Sequence, residues 1–457
     1  MSQIAADMSH SHGHGHVSKA TLLRDENITL PHGAGRGLGM GLMGVGAILA
    51  LLVLVAGIAG GAEGIAGLTL KHAIASYFIG TIAVLAICLG NLFLVLAFHL
   101  TNAGWVSTIR RQAENIASYL PLAFLMVLPG ILAEIAFHGK MFLWLNPTYY
   151  ADEALQHKQA FFYAPLHISD PVTHEPLKTP VFPVFFLIRT VLYGIVWTYL
   201  ARTMSKLSRQ QDQTGEVALS AKARFTASWG MLIFALTTAF AGFDYLMSTD
   251  FKFFSTMWGV YFFAGAVFSG VATLILSLAR LRALGKLEGV VTQEHFHDLG
   301  KLLFAFTVFW AYIAFSQYFL IWYSNIPEET AFFLYRTDHG SIWRGLSIFL
   351  MVGHFIAPFP ILLFRVVKQK PMLIGALAVW AILVHVIDIY WIVRPMVNAG
   401  DGVATTSIMQ GMWADVLGIV GPLLALAGYI IFRAPASCLI VRRDPYLDES
   451  LEHRNYV

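Results

Sequence analysis

Apolar stretches of about 20 residues, each long enough to cross a hydrocarbon layer of roughly 30 Å as a helix, recur along this chain with short polar segments between them. They fall at 38–61, 73–100, 115–137, 181–204, 225–247, 255–279, 302–324, 343–365, 372–394 and 410–433. The pattern predicts an all-α integral membrane protein of ten transmembrane helices. The stretch Phe309 to Thr330, FWAYIAFSQYFLIWYSNIPEET, ends abruptly at Asn325, Pro327 and Glu329. That ending places Trp322 and Tyr323 at headgroup level and the carboxylates in water. A weaker echo closes an earlier run at Trp144, Asn146 and Pro147.

Shifting the helix list by four superposes the third run on the seventh, with their similar endings. It also superposes Phe243-Asp244-Tyr245 on Ile387-Asp388-Ile389-Tyr390. An even shift preserves direction, so the pattern predicts a parallel repeat about an axis normal to the membrane. Two four-helix bundles are expected, at 73–247 and 255–394, with peripheral helices at 38–61 and 410–433. The tails are 1–37 and 434–457, and the first lacks the order of residues of a cleavable signal.

Charge sets the orientation. Of the 30 Lys and Arg residues, 21 fall in the tails and the loops on their side, 8 fall in the alternate loops, and Arg189 lies within a span. Basic residues concentrate on the cytoplasmic side, so both termini are expected there. The loop 138–180 is then external, and its length and aromatic content suggest a covering or docking element.

Composition agrees with a membrane protein: 57% of residues are hydrophobic, 12% are charged, and mean hydropathy is +0.64. The net charge of +3 gives no reason to expect nucleic acid. Cys88 and Cys438 form no CxxCH or cluster-binding run, so no covalent haem or iron–sulfur centre is expected. Gly39, Gly41 and Gly44 match a dinucleotide fingerprint, but no strand precedes them. Glycines 37, 41 and 46 suit close helix packing instead. His10, His12, His14 and His16 alternate in the polar tail, a tract able to bind divalent metal loosely. No built metal site is expected.

Function is carried by ionisable residues inside the spans, each costing roughly 2.5–3.5 kcal/mol at a helix centre and so needing a partner or a purpose. Glu134, Arg189, Asp244, His354, His385 and Asp388 lie at mid-membrane or in the half facing away from the termini, like a wet cavity opening outward. On the terminal side stand His99, Asp298 and Lys301. His385 and Asp388 are three apart on one helix face and can share a hydrogen bond or a proton. Such groups suit a proton relay or the flank of a quinone. The alternative is that Asp244, Asp388 and Asp415 cap helix ends, paired with Arg344 and Arg394. His354 and His385 could also ligate haem b, although nothing around them demands it.

Three blocks then resemble one known family. They are Val184 to Tyr193, Trp229 to Ser248, and Asp298 to Phe304 continuing into the 309–330 stretch, together covering most of spans four to eight. They are similar to the F subunit of bacterial alternative complex III, a quinol:cytochrome c or quinol:acceptor oxidoreductase. The resemblance implies a polysulfide-reductase-type membrane anchor of two four-helix bundles that carries no redox centre. It implies a related quinol-binding membrane subunit beside it, with multihaem and mono-haem cytochrome c subunits and an iron–sulfur subunit on the periplasmic side. A terminal oxidase is a further candidate partner, and the resemblance implies the cytoplasmic (inner) membrane of a bacterium. The resemblance further implies a part in proton conduction, with quinone or quinol a candidate ligand alongside membrane lipid. A scaffold for the redox subunits is the competing function. A secondary transporter fits less well, because Pro129 and the pair Pro358 and Pro360 break helices that are not equivalent under the repeat.

Overall fold

Hydrophobic runs this long satisfy their backbone polar groups only as helices when lipid surrounds them. The computed structural model describes residues 18–60, 68–397 and 411–455. Ten helices within it are long and apolar enough to cross a membrane: α1 Arg36–Gly60, α2 Leu70–Leu100, α3 Arg110–Ala136, α4 Val184–Thr214, α5 Ala218–Thr249, α6 Trp258–Ala283, α7 Gln293–Ser324, α8 Arg344–Leu363, α9 Pro371–Val397 and α10 Met412–Ala436. Among the described residues there is no β-strand. The histidine tract at 10–16 lies outside them. The face of the protein bearing the described ends of the chain is the terminal side, and the opposite face is the loop side.

Helices α2 to α5 close one four-helix ring and α6 to α9 a second. The rings meet where α2 crosses α6, flanked by contacts of α5 with α6 and of α2 with α9. Helices α1 and α10 pair with each other and lean on α2, so α2 is buried along almost its whole length. The central crossing is a backbone-to-backbone contact. A Cβ on Gly90 would sit 1.9 Å from the Ala266 carbonyl oxygen, and one on Gly270 2.8 Å from the Gly90 carbonyl carbon. Asn91 donates across the same seam to the Gly270 carbonyl at 3.2 Å. Gly90→Leu is therefore expected to wedge the rings apart and abolish a monodisperse elution profile in detergent. Gly41→Leu, at an exposed glycine where a Cβ would meet nothing within 4 Å, is expected to elute like the parent protein.

The glycines of α1 pack differently from expectation. Gly39 and Gly46, seven apart, abut Gly428 and Gly421 of α10, whereas Gly37 and Gly41 face outward. Small residues on this seam let the two peripheral helices approach closely.

Each ring carries an 11-residue helix on the loop side, Glu153–Tyr163 over the first and Pro327–Thr337 over the second. Each helix sends one cation to backbone carbonyls. Lys158 donates to the carbonyl of Phe251, just past α5, at 2.5 Å. Arg336 donates to Trp391 and Ile392 near the end of α9 at 3.1 and 2.9 Å, and to Phe332 at 2.8 Å. A cation at the carbonyl end of a helix is favoured by the helix dipole. Burial draws the Arg336 guanidinium down to about 9, which leaves it a cation at neutral pH.

The loop 138–180 folds onto its own ring, with Trp144, Tyr150 and Tyr163 fully buried. Trp144 stacks on Phe162 with centroids 4.2 Å apart, and the Tyr163 hydroxyl donates to the Trp144 carbonyl. The echo at 142–147 does not close a long helix. α3 stops at Ala136, and His138 and Gly139 adopt positive φ of 55° and 70° before a short 3₁₀ turn over Leu143–Leu145. In α7 the helix does run to Ser324 and ends on Asn325 at φ 51°.

Candidate functional site

Buried ionisable groups in lipid are stable when paired, so the informative ones are those left without a counter-charge. Several of the expected residues turn out to be paired. Asp244 on α5 receives two bonds from Arg189 on α4, at 2.9 and 2.6 Å, and a third from the Tyr193 hydroxyl at 2.6 Å. Arg189 also donates to the Phe161 carbonyl at 2.6 Å and lies between the rings of Phe161 and Phe185. The forked guanidinium suits a carboxylate it meets with two parallel bonds. Asp415 on α10 is bonded by His72 at 2.9 Å and Ser76 at 2.5 Å, with Arg394 at 3.3 Å. The Asp244 partner is thus Arg189 rather than Arg344 or Arg394.

Glu134 is a loop-organising group. Its carboxylate accepts the backbone N–H groups of Met141, at 2.9 and 3.0 Å, and Phe142, at 2.9 Å. These bonds pin the turn that follows α3 to the helix and satisfy the buried carboxylate locally.

Asp388 on α9 is different. It is 1% exposed, and among the described residues no Lys, Arg or His lies within ion-pair distance of it. Its Oδ1 accepts the hydroxyl of Tyr261 on α6, and its Oδ2 accepts the indole N–H of Trp310 on α7 at 3.1 Å. His385, one turn away, does not bond it, because the carboxylate is turned toward these two aromatic donors. Both His385 ring nitrogens lack a protein partner. The imidazole lies against Gly265 of α6, where a Cβ would come within 3.1 Å of Nδ1. That glycine leaves space for the ring.

His354 on α8 completes the cluster. Pro358 cannot donate to the His354 carbonyl, and α8 widens into a π-turn over Met351–Ile356, with the Ala357 N–H bonding Val352 at 2.8 Å. Such turns recur at functional positions. This one turns His354 inward, stacked on Trp310 at 3.6 Å and 8° and on Phe268 at 4.4 Å and 28°. Its two ring nitrogens also have no protein partner. All four helices of the second ring therefore contribute to one buried cluster of a carboxylate, two imidazoles, a phenol and an indole. Tyr261 and Trp310 were not anticipated from sequence. Their signal was an indole and a phenol deep in apolar spans, where each seeks a hydrogen-bond partner.

The residues expected on the terminal side separate. Asp298 bonds Lys301 at 2.8 Å and His453 of the C-terminal segment at 2.5 Å. Glu294 beside it accepts from Asn455 and Gln369 at 2.8 and 2.9 Å. His99, buried at the end of α2, makes no hydrogen bond to this group among the described residues. Among the described residues no three His, Cys, Asp or Glu side chains are arranged to hold a metal ion.

No family model and no curated protein matches this chain.

Proposed function

We propose that this chain is a proton-handling membrane subunit of a quinol:acceptor oxidoreductase, with Asp388 as the group that takes up and releases the proton. The family resemblance of spans four to eight supports the setting, and the Asp388 surroundings support the role. The carrying observation is that the two partners of Asp388 are neutral and can serve both of its charge states. A phenol can donate or accept, whereas an indole N–H only donates. The ionised carboxylate accepts from both. The protonated form keeps the Trp310 bond and turns its own O–H to the Tyr261 oxygen. Asp244 has no such freedom, because Arg189 holds it as an anion.

His385 and His354 extend the cluster as neutral imidazoles able to pass a proton through bound water, the kind of Asp and His chain that proton-moving membrane proteins use. The Asp298–Lys301–His453 group forms a second polar cluster, on the face proposed to be cytoplasmic. Redox centres belong to partner subunits: a related quinol-binding membrane protein, cytochromes c and an iron–sulfur protein. The scaffold reading is supported by the lid at 138–180 and the Arg189–Asp244 pair, which stabilise the first ring.

Mild-detergent isolation through a tag on this chain tests the setting. Co-isolation of haem proteins, with quinol oxidation in the isolate, is the expected result. Isolation of the chain free of haem and of quinol-oxidising activity would remove the respiratory setting.

A further inference from the structure

Between α7 and α8 lies a cleft of about 710 Å³ whose walls are almost wholly apolar. Val308, Ala311, Phe315 and Tyr318 run down one wall, and Ile348, Met351 and Phe355 down the other. The cleft opens on the lipid-facing surface, since Phe315 and Met351 are 65% and 54% exposed. It extends from Arg344, the first residue of α8, to Ile356 in the π-turn. At the rise of an α-helix that is roughly 18 Å, close to half of a hydrocarbon core of about 30 Å. The widened turn gives the cleft its inner end.

Its mouth is charged. Four arginines lie in the loop-side half: Arg189 and Arg394 face carboxylates, and Arg336 is bound by three carbonyls. Arg344 makes no ion pair among the described residues and bonds only the Nδ1 of His339. An arginine with spare N–H groups and, among the described residues, no carboxylate partner is matched by a phosphate. Most polar groups lining the cleft are already engaged: Tyr261 and Trp310 bond Asp388, and Gln317 accepts from Ser255 at 2.9 Å, whereas the indole N–H of Trp258 has no protein partner among the described residues. A polar ring placed at the floor would find few open partners, whereas a hydrocarbon chain needs none.

We propose that the α7–α8 cleft is a specific site for an anionic phospholipid of the loop-side leaflet, its phosphate on Arg344 and one acyl chain along the cleft. Such a site does not require the respiratory setting. Seated there, the acyl chain packs on Trp310 and keeps bulk water from the Tyr261 and Trp310 bonds to Asp388.

The test is native mass spectrometry of the full chain with its co-isolated partners, delipidated and titrated with phosphatidylglycerol, phosphatidylcholine or a long-tail quinone. Phosphatidylglycerol is expected to be retained most tightly, with about tenfold weaker retention in Arg344→Gln, as loss of a charge-assisted bond implies. Ile348→Trp, which fills the cleft and keeps Arg344, is expected to weaken it similarly. Thermal unfolding identifies any variant that fails to fold, and the other variant then decides. Equal retention by the parent and the folded variants overturns the site. So does displacement of phosphatidylglycerol by the quinone, or burial of this face by a partner protein that leaves no lipid bound.

Discussion

Asp388→Asn is expected to abolish turnover-linked proton movement through this protein while leaving its unfolding midpoint in detergent nearly unchanged. The structural part follows from its partners. Among the described residues Asp388 has no cation to orphan, and an amide can accept from Trp310 with its oxygen while its NH₂ group donates to a rotated Tyr261 hydroxyl. A near-isosteric change that keeps a hydrogen bond to each of the two aromatic partners costs little, on the order of 1 kcal/mol, mainly for the Tyr261 proton and the second amide N–H that lose an acceptor. The functional part follows because an amide cannot exchange the proton that the carboxyl exchanges. Asp388→Glu, which restores an acid one methylene longer, is expected to recover part of the movement. The measurement is proton release from liposomes containing the intact assembly, alongside quinol oxidation. Proton movement at the parent level in a folded Asp388→Asn protein would eliminate the role.

Arg189→Met should have the opposite profile, a large loss of stability. Removing one partner of a buried ion pair typically costs about 3–5 kcal/mol, because the other charge is left in a low-dielectric interior. Here Asp244 is fully buried and would keep only the Tyr193 hydroxyl. The double replacement Arg189→Met with Asp244→Leu is expected to recover most of the stability, since neither charge then needs a partner. Thermal or denaturant unfolding of the single and double variants gives the coupling directly. Equal destabilisation by the single and double replacements would show that the pair is not coupled as the geometry implies.

Helix number and extent were legible because apolar length is a direct consequence of the hydrocarbon thickness. The predicted spans fall on the ten helices with shifts of a few residues at most ends. Larger departures occur where helices continue into polar sequence: α4 reaches Thr214 and α7 begins at Gln293. The endings at 142–147 and 323–327 read alike, yet Glu134 captures the backbone of Met141 and Phe142 and holds the first as a turn. That capture is a contact between side chain and backbone, which an apolar pattern does not encode.

The buried ionisable residues were also legible, each being conspicuous in an apolar run. Their roles were not, because role depends on what sits on the neighbouring helix. Asp244 and Asp388 occupy matching positions in sequence, but Arg189 faces the first while Tyr261 and Trp310 face the second. His385 and Asp388 have the spacing of a hydrogen-bonded pair, yet the stronger geometry offered by two aromatic donors turns the carboxylate away. The inward turn of His354 needed the π-turn, which the prolines at 358 and 360 hint at without specifying its direction.

Infrared difference spectroscopy during turnover, comparing the parent assembly with Asp388→Asn, reads the proton on the carboxyl group itself. A protonated-carboxyl C=O band that appears and decays with turnover, shifts in heavy water and is absent from Asp388→Asn is the expected result. A turnover spectrum whose carboxyl bands are the same in the folded variant and the parent would contradict it, leaving Asp388 as a buried structural acid.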